Sequence, residues 1–219
     1  MVNSIAEKSP YLADVIRFFI KPELYLPAKK SSFKDFLLLG FANFILIVPV
    51  LLFVDFFTGD RFDSMVFDDL EDNPYLLLFA VAILAPILEE VLFRYHQNRK
   101  YFSIIFTLTV AALVSIEVHS FILYVTYLFV LLGFKISKKA IPIPLMVYFT
   151  SGFFALVHLT NYIGVDWWID FYWAPLLVFS QFIGGIVLSF IRLHEGLFKA
   201  MLFHAMWNGF FSLVLFLPD

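Results

Sequence analysis

The sequence predicts an all-α fold, a polytopic membrane protein of about seven transmembrane helices. Three observations predict it. Of 219 residues, 62% are hydrophobic and 20% aromatic, and the mean hydropathy of +0.89 lies far outside the range of soluble domains. The charges leave uncharged runs at 36–54, 73–88, 101–116, 118–134, 140–165, 171–191 and 200–218. The basic residues gather at the ends of alternate runs.

Each run is justified by length. About 20 mostly apolar residues, rising roughly 1.5 Å each, cross a hydrocarbon core of about 30 Å. The stretch 101–134 exceeds one crossing, and Glu117 with His119 marks its turn, which brings the number of spans to seven. Residues 1–35 form a polar leader without a short apolar core or a small-residue cleavage site, so the first helix is expected to be retained. Within the leader, "LADVIRFFIKPELYLP" (12–27) mixes apolar and charged residues at helical spacing. That suits a helix lying on the membrane surface, with a plain ordered tail as the other reading. Residues 36–219 form the transmembrane domain, and the chemistry-bearing part of it covers 75–219.

The loops have their own signatures. Residues 55–74 hold seven Asp or Glu and a single Arg, and without calcium-loop spacing they read as a solvated linker. "VDWWIDFYW" (165–173) reads as an aromatic belt at a membrane interface. Residues 1–35 carry six Lys or Arg, followed by Arg94, Arg99 and Lys100, then Lys135, Lys138 and Lys139, then Arg192 and Lys199. Only Arg61 falls in an alternate loop, so 14 of 15 basic residues lie on one side. The positive-inside rule then places the amino terminus in the cytoplasm and the carboxyl terminus outside. Cysteine is absent, which excludes disulfides, thiolate ligands and a cysteine nucleophile.

Ionisable groups left at membrane depth each cost several kcal/mol and are functional by default. They are Glu89, Glu90 and Arg94 in "ILAPILEEVLFRYH" (83–96), His158, and His204 with Asn208. Residues four apart share a helix face, so Glu90 reaches Arg94, while Glu89, rotated by about 100°, points elsewhere. His204 and Asn208 likewise share a face. Taken singly, each His could be a hydrogen bond between helices, Asn208 a helix tie, and the Glu pair a transporter's proton site. Together they have the parts for amide hydrolysis. A carboxylate beside an imidazole deprotonates water, and His with Asn donates to an oxyanion. Alternatively Glu89, His158 and His204 hold a Zn²⁺ with an open position, leaving the second Glu as base.

"EEVLFR" (89–94), "FALVH" (154–158) and "HAMWN" (204–208) resemble, in order, the E-E-x-x-x-R, F-x-x-x-H and H-x-x-x-N motifs of the CAAX prenyl protease and bacteriocin-processing (CPBP, or Abi) family of intramembrane proteases. The resemblance covers residue 75 to the end. It implies a helical core around an intramembrane hydrophilic cavity, with Glu89 and His158 activating water, Glu90 and Arg94 supporting them, and His204 and Asn208 stabilising the oxyanion. It also implies a metalloprotease description, in which the same residues are zinc ligands. Two spans (101–134) separate the first two motifs here, where familiar members place them on neighbouring helices. Centring each span leaves an axial gap of roughly 10 Å between Glu89 and His158, which tilt or extension of the helix past Arg94 must close.

The expected function is therefore endopeptidase cleavage of a membrane-associated peptide or protein, prenylated or not, in a prokaryotic plasma membrane. The expected partners are the bilayer and the substrate segment, with no nucleic acid. The alternative is a non-catalytic membrane scaffold or immunity protein of the same fold.

Overall fold

The computed structural model describes residues 10–24, 31–62, 73–114, 118–162 and 165–215. Residues 63–72 of the acidic loop, Glu117 and the side chain of His119 lie outside them. Among the described residues the elements are helices, with no strand: α1 (Pro10–Ile20), α2 (Phe33–Thr58), α3 (74–94), α4 (Tyr101–Val114), α5 (Val118–Ile136), α6 (Ile143–Val157), α7 (Trp167–Asp170), α8 (Ala174–Leu177), α9 (Phe179–Glu195) and α10 (Leu197–Leu215). By length and composition Phe33–Thr58, Tyr75–Asn98 and Ile143–Asn161 can cross a membrane, and Tyr101–Val114 and Ser120–Ile136 are shorter apolar helices. The protein is an all-helical integral membrane protein.

Local sequence explains most boundaries. α2 opens with a reciprocal capping box between Ser32 and Asp35, which satisfies two backbone donors that would otherwise lack partners. α3 is composite: an α-helical start (Pro74–Phe79), a π turn (Ala80–Leu84) and a second α segment (Ala85–Arg94), continued by a tight 3₁₀ turn (Tyr95–Asn98). Pro86 accounts for the wide turn, since a helix-interior proline has no N–H to donate and its ring crowds the carbonyl four residues back. The run expected at 171–191 is divided. Trp173 to Val178 forms only a short helix around Pro175, and α9 starts at Phe179 and continues to Glu195. Trp168, Phe171 and Tyr172 are exposed beside it, as an interfacial belt requires.

α1 is a helix, as the leader's spacing suggests, but one of its faces is taken by protein. Tyr11, Val15 and Phe18 are buried against α9, with both aromatic rings edge-on to Phe190. Tyr11 also donates to Glu195, which receives Ser31 and Lys199 as well. This cluster ties the leader to the start of α10.

α4 and α5 form the hairpin that separates the first two motifs in sequence. It packs to one side, with Tyr124 stacked on Phe153 at 4.8 Å and Tyr127 on Phe149 at 4.1 Å. α3 and α6 therefore remain neighbours. On its other side α6 meets α9 at very close range, because Gly185 faces Ser151. A Cβ at Gly185 would lie 2.9 Å from the Ser151 Cβ and 3.0 Å from its Cα. Small residues at helix crossings permit such approach in membranes, where packing rather than water drives association. Gly185→Val should force these helices apart and destabilise the protein by about 1–3 kcal/mol, measurable as a lowered thermal midpoint in detergent beside an unchanged Gly133→Ala control, at a position with open space around it.

Candidate active site

The second α segment of α3 carries "LEEVLFR", and its two carboxylates part as expected. Glu90 Oε1 accepts from Arg94 Nη1 at 3.0 Å, and both side chains have no exposed surface. The guanidinium also lies over the Phe154 ring, 4.2 Å from its centroid, which adds a cation–π contact to the ion pair. Glu90 Oε1 is also 3.0 Å from His204 Nδ1. One carboxylate oxygen thus links α3 to α10.

Glu89 turns toward the imidazoles. Its Oε1 is 3.9 Å from His158 Nε2 and its Oε2 is 3.5 Å from His204 Nε2. The gap expected between the first two motifs is closed, and extension of α3 to Asn98 contributes to closing it. His158 sits where α6 tightens into a 3₁₀ turn (His158–Asn161), and its Nδ1 is 2.7 Å from the Phe154 carbonyl. A carbonyl only accepts, so Nδ1 carries the hydrogen and Nε2 of the neutral ring is an acceptor. Glu89 and His158 remain 26% and 18% exposed while Glu90 and Arg94 are sealed. The open side of the site is the side with Glu89 and His158.

Asn208 is placed by the π turn. Ala85 N–H bonds the Ala80 carbonyl, five residues back, so it no longer serves Val81. The next donor in a π pattern would be residue 86, which is proline. The Val81 carbonyl is therefore left without a helical partner, and Asn208 Nδ2 donates to it at 3.1 Å. Gly209, next along α10, faces the same turn, and a Cβ there would make only an ordinary contact, 3.6 Å from that of Ala82. An amide NH₂ has two hydrogens, and this bond uses one. Asn208 thus ties α10 to the turn that precedes the Glu pair.

All six residues named from the sequence belong to this region, and the structure links five of them, Glu89, Glu90, Arg94, His158 and His204, through side-chain separations of 3.0 to 3.9 Å. Two supporting groups were not singled out in the sequence. Arg192 on α9 donates through Nε to the Arg94 carbonyl at 2.9 Å and through Nη2 to that of Tyr95 at 3.3 Å, capping the carbonyl end of α3 with positive charge. Gln97, in the 3₁₀ turn after α3, is wholly buried. Only the apolar residues flanking its turn hint at that.

A zinc ion accepts these donor types, and each imidazole presents Nε2 while its Nδ1 is anchored elsewhere. Among the described residues no three His, Asp or Glu side chains are grouped so as to hold a metal ion, and no step is routed through one.

A family model described as type II CAAX prenyl endopeptidase Rce1-like matches residues 71–210. The chain belongs to that family. The match covers α3 through most of α10 and all three motifs. No curated protein and no solved structure matches the chain. The family is one of CAAX-type intramembrane proteases, so protease activity at a membrane is the frame in which this site is understood.

Breaking a buried pair from one side leaves an uncompensated charge, at a cost of about 3–5 kcal/mol, whereas replacing both partners with neutral groups costs much less. Arg94→Met should therefore lower stability more than the double variant Glu90→Gln/Arg94→Met. Urea or thermal unfolding in detergent of the two variants checks the order.

Proposed function

We propose that the chain is an intramembrane endopeptidase that hydrolyses a peptide bond of a membrane-associated peptide or protein with a water held between Glu89 and His158. The observation that carries the reading is the pair of facing acceptors. The Glu89 carboxylate and the Nε2 lone pair of His158 stand 3.9 Å apart, too far for a direct hydrogen bond. Both need a hydrogen, and a water molecule supplies two.

From that position the water's oxygen attacks the scissile carbonyl carbon while Glu89 takes one of its protons. A C–O bond forms and the carbonyl oxygen becomes an oxyanion. His204 presents Nε2 to the same site and donates to the oxyanion when its ring carries both protons. The second amide hydrogen of Asn208 is the other donor. The tetrahedral intermediate collapses, the C–N bond breaks, and the proton held on Glu89 passes to the leaving amine. Glu90 and Arg94 do not touch substrate. They hold His204 Nδ1 and neutralise each other, so that Glu89 is the carboxylate available as base.

The substrate segment reaches the site from the Glu89 and His158 side, and the bilayer is the site's surroundings. The distribution of basic residues supports a cytoplasmic amino terminus. In the fold, the leader, the end of α9 and the start of α10 meet through Glu195 and Lys199, which is consistent with one cytoplasmic end.

Glu89→Gln and His158→Ala should each lower kcat at least a hundredfold, in line with the usual worth of general acid–base groups, while the purified proteins keep the parent's elution profile. The assay is cleavage of farnesylated and unprenylated versions of one C-terminal peptide by protein in liposomes. Parent protein that cleaves neither, or variants that cleave as well as the parent, would defeat the reading, and the preference between the peptides reports whether prenylation matters.

A further inference from the structure

Gln97 lies outside the three motifs, has no exposed surface, and projects from the 3₁₀ turn that ends the α3 span. Its Nε2 donates to Thr150 Oγ1 on α6 and to Ser189 Oγ on α9, both at 3.0 Å and both buried. Thr150 in turn donates to the Met146 carbonyl at 2.7 Å, so its hydroxyl hydrogen is committed and its oxygen accepts. One amide therefore joins three helices through two directed bonds.

The bond to Thr150 stands in line with the catalytic pair. From Gln97 back to Glu89 is eight residues, through the 3₁₀ turn and the end of α3, and from Thr150 on to His158 is eight residues, along α6 to the first residue of the 3₁₀ turn that follows it. Midway, Phe93 packs on Phe154 with ring centroids 5.2 Å apart. The helices run antiparallel, so the three contacts are rungs of one register at intervals of four residues. The middle rung is apolar and non-directional. Phe93 also meets Phe153 and Tyr124, and contacts of that kind persist through small sliding. The Gln97 rung does not permit sliding. A slip of one turn would set its amide against Met146 or Phe154, whose side chains offer no oxygen, and a buried amide without a partner is costly where no water can replace it.

We propose that Gln97 is the positioning residue that sets the axial register of α3 against α6, and thereby holds Glu89 and His158 at water-sharing distance. The inference rests on the proposed hydrolytic role of that pair for its kinetic consequence, but the register itself is a geometric claim that can be read without any substrate. Gln97 touches no reacting group. It acts eight residues away, through the 3₁₀ turn and the helix ends that connect it to the pair.

The test uses the full chain in liposomes. Gln97→Leu keeps the volume and removes the amide, and Thr150→Ala/Ser189→Ala removes the two acceptors while leaving Gln97 in place. Because the chain has no cysteine, spin labels at Leu88→Cys on α3 and Leu156→Cys on α6, both exposed on the outer surface, report the register by electron paramagnetic resonance. Both variants should shift or broaden the label separation and lower kcat about tenfold to a hundredfold, the usual cost of ångström-scale misplacement, with KM within about twofold of the parent. Combining them should add little, and Gln97→Glu, which as a neutral acid still offers one donor, should recover part of the loss. An unshifted separation in folded Gln97→Leu overturns the proposal whatever the activity. So does a shifted separation with full activity. If the parent itself cleaves nothing, the hydrolytic reading fails, while the label separation still decides the register.

Discussion

Glu90 is a carboxylate with no exposed surface inside a membrane protein, and much of the structure is arranged to make that tolerable. An ionised group at such depth must be paired or it costs several kcal/mol. The pairing is built in two directions. Arg94, one turn along the same helix, supplies the opposite charge, and His204 on α10 supplies a second hydrogen bond to the same oxygen. That double use of one oxygen fixes where α10 stands relative to α3, turns His204 Nε2 toward Glu89, and leaves Glu89 facing two imidazoles rather than a guanidinium. The asymmetry between two adjacent glutamates, one sealed and one open, is the electrical basis of the site.

The packing around this pair follows from a few irregular residues. Pro86 imposes a π turn, the π turn frees the Val81 carbonyl, and Asn208 takes it, so a helix defect becomes the second tie between α3 and α10. Arg192 closes the other end of α3 by bonding its last carbonyls. Gly185 lets α9 press against α6 at Ser151, which brings Ser189 within reach of Gln97. The α4–α5 hairpin adds aromatic surface beside α6 without parting α6 from α3. Two extra helices between the first two motifs therefore leave their geometry intact.

Much of this was legible in the sequence because membrane depth makes polar residues conspicuous. The Glu90–Arg94 pair follows from spacing alone, and the all-helical class follows from composition. The meeting of Glu89 with His158 was expected only at the price of an axial gap, since centring each apolar run assumes that both helices end at the membrane surface. The chain stays helical past Arg94, through a 3₁₀ turn to Asn98, and that turn packs inside the bundle with Gln97 buried. Gln97 was passed over because it stands among charged residues in a stretch that reads as a turn, and burial of a turn depends on tertiary packing that periodicity does not encode. The docking of α1 on α9 was hidden for a related reason. An apolar helix face looks the same whether lipid or protein covers it.

The account stands or falls on Glu89 and His158 facing water rather than lipid. In a chain without cysteine, single replacements make this measurable by reaction with a small charged methanethiosulfonate reagent, which modifies thiols only where water reaches them. Cysteine at position 89 or 158 should react, although both sites are largely enclosed, and cysteine at position 88 or 156 should not, although both are more exposed on the molecular surface. The opposite pattern, with positions 89 and 158 inert and their neighbours reactive, would contradict it.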